Sequence, residues 1–281
     1  MSVFLVTGTS RGLGRSIAEA VLEAGHSLVA TARTPNLPDD HGDRLRQVRL
    51  DVTDPDAAEA AVRTAVEAFG RLDVVVNNAG YANLVSVEDI TAEDFRAQID
   101  TNLLGVVNVT KAALPVLREQ GGGHIIQISS VGARVTTPGL SAYQAAKWAV
   151  GGFSEVLAKE VAPLGIKVTV LEPGGMRTDW AGSSMTIPPV SEPYAPTVGA
   201  LAAHFGGGGV PAAGDPAKVA QVVLTIAGTD DPPVRLVLGS DAVRYATAAG
   251  RALAESDARW LGLSLSTDHD AATEAELRPL G

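Results

Sequence analysis

The 281-residue chain contains no cysteine, which excludes disulfides, thiolate nucleophiles and cysteine-based metal sites. Histidine is nearly as scarce. His26, His41, His124, His204 and His269 are scattered without ligand spacing such as His-Glu-x-x-His, so no metal is expected. Basic side chains are outnumbered, 22 against 32 acidic, for a net charge of −10. Such a chain has no sequence-wide attraction to nucleic acid or to an anionic membrane, and any phosphate it binds must be met by a local site. No apolar run approaches the ~18 residues that a membrane span needs. The apolar stretch after Met1 is too short for a secretory signal and lacks its basic flank. These absences predict a cytoplasmic protein with neither nucleic acid nor membrane as partner.

What is present is an alternation of short β-branched runs and helical periodicities. Residues 3–6 read as a buried strand, and Thr7-Gly8-Thr9-Ser10-Arg11-Gly12-Leu13-Gly14 follows directly. Ile17, Ala20, Val21 and Ala24 then recur at helical spacing up to Gly25, and residues 28–32 form a second strand. Glycines in the turn of such a β-turn-αβ unit let backbone approach a pyrophosphate, while the helix N-terminus supplies amides and a positive dipole end. By itself the turn fits either a nucleotide cradle or a tight structural turn. Further strands are read at residues 48–50, 72–76, 125–128, 165–171 and 234–238, about seven in all. Asp54-Pro55 caps a helix that Gly70 ends. Helices are also expected at residues 91–99, 100–120, from Tyr143 through Val161, from Asp215 to about Ala227, and from Gly239 to about Trp260. The pattern is α/β: one Rossmann-like, doubly wound parallel sheet flanked by helices.

Two places bear on chemistry. Tyr143 and Lys147, four apart, share one face of a helix. An ammonium beside a phenol favours the phenolate, which lowers the tyrosine pKa and makes it a proton donor or acceptor near neutrality. Taken alone, the pair also fits an ordinary helix surface. The strand at residues 125–128 delivers Ser129-Ser130 at its carboxyl end, where ligands of open parallel sheets sit. The second strand ends in Ala32-Arg33-Thr34, without the carboxylate that would bind the ribose hydroxyls of NAD. Arg33 and Arg11 offer two guanidinium groups to a 2′-phosphate instead, which favours NADP(H), with NAD(H) as the alternative.

The Thr-Gly-x-x-x-Gly-x-Gly turn, the Asn77-Asn78-Ala79-Gly80 quartet after the fourth strand, Ser130 thirteen residues before Tyr143, and Lys147 together resemble the short-chain dehydrogenase/reductase family. The resemblance covers about residues 3–178. Ser129 is the alternative serine, off by one in spacing, and Ala146 stands where many members place a serine. The resemblance implies a catalytic set of Asn102, Ser130, Tyr143 and Lys147, with Asn102 anchoring a water that relays protons to the lysine. It implies cofactor contacts from Gly8, Ser10, Arg11, Gly12, Leu13, Gly14 and Arg33, from Asp51 and Val52 beside the adenine, and from Asn78, Ala79 and Gly80. Tyr143 and Lys147 also hold the cofactor, as do Pro173, Gly174, Met176 and Thr178 of a Pro-Gly-x-x-x-Thr segment at the nicotinamide end.

The expected reaction is a reversible reduction of a ketone or aldehyde to an alcohol on a small hydrophobic molecule. The rivals are NAD-linked alcohol oxidation and a non-catalytic nucleotide sensor. The family's habit of pairing its long helices between subunits implies a homodimer or homotetramer. A single domain is expected over residues 1–264, with 265–281 as a frayed polar tail. Between residues 179 and 214 regularity is lost. Trp180, Met185, Ile187, Tyr194 and Phe205 lie there, followed by Gly206 to Gly209, so the segment is expected to be a substrate lid with the glycines as its hinge.

Overall fold

Strand residues in the first third of the chain alternate between two cores, and this fixes the architecture. Strand β1 (Val3–Thr7) sends Phe4 and Val6 into one cluster with Ile17, Val21, Leu28, Ile126 and Val223, and Val3 and Leu5 into another with Val29, Val62, Val75, Val109 and Leu157. Side chains of period two on a strand buried on both faces require helices above and below the sheet. Each fully buried Leu, Ile, Val or Phe contributes about 1.5–3 kcal/mol. The computed structural model describes residues 1–38, 41–177, 185–206 and 212–277.

In chain order, β1 is followed by α1 (Gly12–Glu23), β2 (Ser27–Ala32), β3 (Leu45–Arg49), α2 (Pro55–Phe69), β4 (Val74–Asn77), β5 (Ala82–Asn83) and α3 (Ala92–Ile99). A π-helical turn over Asp100–Leu104 leads into α4 (Gly105–Glu119). Then come β6 (Gly123–Ile128), α5 (Ser141–Val161), β7 (Ile166–Pro173), β8 (Met185–Thr186), α6 (Ala200–Gly206), α7 (Pro216–Ala227), β9 (Arg235–Leu238), α8 (Ser240–Leu265) and α9 (Glu274–Leu277). The seven-stranded sheet is parallel throughout, in the order β3-β2-β1-β4-β6-β7-β9. Helices α1 and α7 cover one face, and α2, α4 and α5 the other. The order reverses between β1 and β4, and the crevice beyond the carboxyl ends of those strands is where an open sheet binds ligands.

Local chemistry accounts for the boundaries. The Asp54 carboxylate accepts the amides of Asp56 and Ala57 at the start of α2, Pro55 occupies its first turn, and Gly70 ends it at φ 77°. Two stretches hold more regular structure than the sequence suggests. The segment after residue 179 is regular in part where it is described. Met185–Thr186 pairs with Ala82–Asn83 in a small parallel ribbon, Glu192–Tyr194 is a 3-10 turn, and Ala200–Gly206 is helical. Apolar contact with the β5 region orders it despite its prolines. Beyond Ser264, α8 ends at Leu265 and a short helix α9 forms. Thr273 and Glu276 cap α9 reciprocally, the hydroxyl accepting from the Glu276 amide and the carboxylate from the Thr273 amide.

Candidate active site

At the switch point, Thr7 and Asn78 lock the ends of β1 and β4 together. The Thr7 Oγ1 accepts the amides of Asn78 at 2.9 Å and Ala79 at 3.0 Å, and Asn78 Nδ2 donates to the carbonyls of Thr7 and Gly8 at 2.9 and 3.3 Å. The glycine turn then passes under the start of α1. Gly8 sits at φ 73°, and a Cβ on Gly14 would lie 2.1 Å from the Gly8 oxygen, so only glycine fits. Helix α1 has no side-chain cap and no acid in its first turn, which leaves its N-terminal amides and dipole for an anion. This cradle fits a dinucleotide pyrophosphate. Arg15, which sequence reasoning passed over, braces the turn by donating to the Ser10 carbonyl at 3.3 Å and to the Asn36 Oδ1 at 2.8 Å.

Arg11 and Arg33 are both exposed, on the turn and just beyond β2. The Asp51 carboxyl is held below its usual range by the amide and hydroxyl of Thr53, with help from the nearby charges of Arg33 and Arg49. Its neighbour Val52 is buried against Gly105, where a Cβ would come 2.5 Å from Val52 Cγ2.

The other half of the crevice assembles around Gly80. A Cβ there would meet Asn102 Oδ1 at 2.6 Å and Lys147 Nζ at 3.6 Å, so those two side chains flank it. Asn102, fully buried in the π turn, accepts the Tyr81 amide at 3.1 Å and donates to the carbonyls of Tyr81 and Gln98 at 2.9 and 2.8 Å. Lys147 Nζ donates to the Ile128 carbonyl at 2.9 Å. The Ser130 hydroxyl hydrogen-bonds to the Tyr143 phenol and accepts the Gly132 amide at 3.0 Å. Ser129 instead turns inward and donates to the Lys147 carbonyl at 3.3 Å. Ser130, Tyr143, Lys147 and Asn102 are thus brought together, and Ser129 is not aimed at the phenol.

The electrostatics differ from the sequence expectation. Burial pushes the Tyr143 phenol up to about 12, against a downward pull from the Ser130 hydroxyl, and burial pushes Lys147 down to about 8. Desolvation of the charged forms is the largest cause of both shifts.

The Pro173-Gly174 segment leaves β7 and is tied to the C-terminal elements. The Gly174 amide donates to the Leu238 carbonyl at 2.9 Å, and the Gly175 amide to Asp241 Oδ2 at 2.9 Å. Asp241 was not singled out from sequence, where nothing local marks a partner 66 positions away. Met176 packs against the core on the α1 and α7 side, and Thr178 lies outside the described residues. Ala82, Leu84, Leu140, Met185 and Val198 form an apolar cluster with Tyr143, and Ile187, Tyr194 and Phe205 pack against it. The segment is tethered where the Tyr194 hydroxyl donates to Glu88 at 2.5 Å and Ser191 donates to Asp89 at 3.0 Å. The expected hinge glycines 207–209 and Trp180 lie outside the described residues.

A family model described as short chain dehydrogenase matches residues 2–186. The chain belongs to the short-chain dehydrogenase family. This short-chain dehydrogenase is 56% identical over 270 residues to the oxidoreductase BOA17 of Botryotinia fuckeliana, covering 94% of this chain and 98% of that one. It superposes on a short-chain dehydrogenase from Streptomyces avermitilis with a TM-score of 0.89 and 37% identity, over 95% and 99% of the two chains. A short chain dehydrogenase from Burkholderia cenocepacia in complex with NADP gives a TM-score of 0.73 at 26% identity, over 92% and 97%. The chain is therefore an oxidoreductase of this family, with its Rossmann-like sheet.

Proposed function

We propose that this oxidoreductase interconverts a ketone or aldehyde with an alcohol on a small hydrophobic molecule, with NADP(H) as its preferred redox partner. The observation that carries the reading is the convergence of Ser130, Tyr143, Lys147 and Asn102 at the carboxyl end of the sheet, beside an apolar cluster that includes Tyr143 itself. When bound, the nicotinamide supplies the hydride to the carbonyl carbon or accepts it from the alcohol. In the reducing direction Tyr143 gives its phenolic proton to the carbonyl oxygen, and Ser130 hydrogen-bonds that oxygen as negative charge develops. Lys147 lies next to the phenol and would hold the cofactor ribose. Asn102 carries the proton path onward through water. The cradle of Gly8, Gly12 and Gly14, with Asn78 to Gly80, would hold the cofactor, and Pro173 to Met176 would flank its reactive end.

Arg11 and Arg33, with no carboxylate at the end of β2, support the preference for a 2′-phosphate. The exposed Trp148 and Val156 on α5 support a homodimer or homotetramer. Among the described residues no helix is long and apolar enough to cross a membrane. The test is Tyr143→Phe assayed on a panel of apolar ketones. Turnover should fall by at least roughly 10²-fold, while NADPH affinity from fluorescence titration stays near wild type. Persistent turnover in the variant overturns the assignment.

A further inference from the structure

Behind the Ser130 turn one carboxylate is enclosed by two guanidinium groups from distant parts of the chain. Glu172, on β7 one residue before Pro173, is fully buried. Its Oε2 accepts from Arg134 Nε at 2.7 Å, with Arg134 Nη2 also at 2.7 Å. Its Oε1 accepts from Arg235 Nε at 3.0 Å and from Arg235 Nη2. Arg235, on the edge strand β9, also donates to the Ala133 carbonyl at 3.4 Å and to Glu155 Oε1 of α5 at 2.9 Å. Its guanidinium reaches Glu155 by passing α5 at Gly151, where a Cβ would stand 3.2 Å from Cζ and from both Nη atoms.

Each contact ends on a segment that carries one of the converging groups. Arg134 and Ala133 belong to the 3-10 turn Val131–Ala133 and its cap, opened by Ser130, and the Ala133 amide returns to the Ser130 carbonyl at 2.9 Å. Gly151 and Glu155 lie on the helix of Tyr143 and Lys147. A carboxylate with both oxygens met by forked guanidinium donors has a narrowly defined geometry. An ionic cluster in such a place costs desolvation that apolar packing would avoid, so its return is in direction more than in stability.

We propose that Glu172, Arg134 and Arg235 are positioning residues that hold the Ser130 turn in register with the Tyr143 helix. The inference rests on the reading of Ser130 and Tyr143 above and adds the device that sets their spacing. Arg134 is partly exposed, with 34% of its side chain accessible, and Arg235 still neutralises Glu172 when it is removed. Arg134→Gln is therefore the variant of choice, and Arg235→Lys, which keeps the charge and loses the fork, is the second.

Hydrogen–deuterium exchange should accelerate in both variants over residues 129–135 and remain unchanged in α1. In ketone reduction, kcat should fall roughly ten- to a hundredfold for a displacement of this kind, with NADPH affinity unaltered. In a Ser130→Ala background, Arg134→Gln should cost less than about twofold more, because both changes remove the same contact. Unchanged exchange at the turn, or a full additional loss in the Ser130→Ala background, overturns the inference. If the wild type shows no Tyr143-dependent reduction, the functional reading fails and the exchange measurement alone decides on the positioning role.

Discussion

The Lys147 ammonium stands 5.8 Å from the centroid of the Tyr143 ring and donates to the Ile128 carbonyl at 2.9 Å. Both side chains are buried, and burial moves them in opposite directions: the phenol up to about 12, the amine down to about 8. The pair thus holds the proton on the tyrosine across the neutral range while bringing the lysine close to its own titration. That state suits a phenol that donates to a carbonyl oxygen.

The lysine has a measurable thermodynamic consequence. Between about 8 and its ordinary value of 10.5, the unfolded chain keeps a proton on Lys147 that the folded chain has released. Stability rises with pH wherever the unfolded state binds more protons, so this residue's penalty is full below pH 8 and is relieved above it. Urea denaturation of wild type and Lys147→Met should show the wild type gaining stability relative to the variant from about pH 8 upward. A pH-independent difference would remove the buried-ammonium account.

The cofactor preference is tested by removing its two cations. Arg11→Ala with Arg33→Ala should weaken NADPH binding by roughly ten- to a hundredfold, the range for lost hydrogen bonds to a charged group. NADH binding should change by less than about threefold. Equal losses for the two dinucleotides would show that these arginines do not read a 2′-phosphate.

Two glycines should respond in opposite ways to the same substitution. Gly14→Ala drives a methyl into the Gly8 carbonyl at 2.1 Å and the Asn78 amide at 2.4 Å, which costs at least about 1–3 kcal/mol in strain and distorts the cradle. Gly152→Ala, with nothing within 4 Å and a helical backbone, should stabilise by about 0.5–1 kcal/mol. Denaturant midpoints, with NADPH titration for Gly14→Ala, check both. A neutral Gly14→Ala would contradict the close packing of the turn.

The strands and the glycine turn were legible because each is written in local periodicity, and the Ser130, Tyr143 and Lys147 spacing only because it resembles that of the family. The tethering of residues 185–206 was not, because Ser191 and Tyr194 find Asp89 and Glu88 across 102 and 106 positions. The same holds for Glu172, whose guanidinium partners stand 38 and 63 positions away. The direction of the Tyr143 shift was not legible because sequence shows the neighbouring lysine but not the depth of burial that raises the phenol. The π turn at Asn102 carries no pattern distinct from the α-helix on either side.

That π turn limits how this stretch can change. Its closing bond, from the Gly105 amide back to the Asp100 carbonyl, spans one residue more than an α-helical bond. Deleting any one residue there would restore ordinary helical bonding and rotate one flank against the other by about 100°. Asn102 would swing off Tyr81, or Val109 and Leu117 off the sheet. Alteration of this segment is confined to exchanging side chains, because a change of length by a single residue has no intermediate setting.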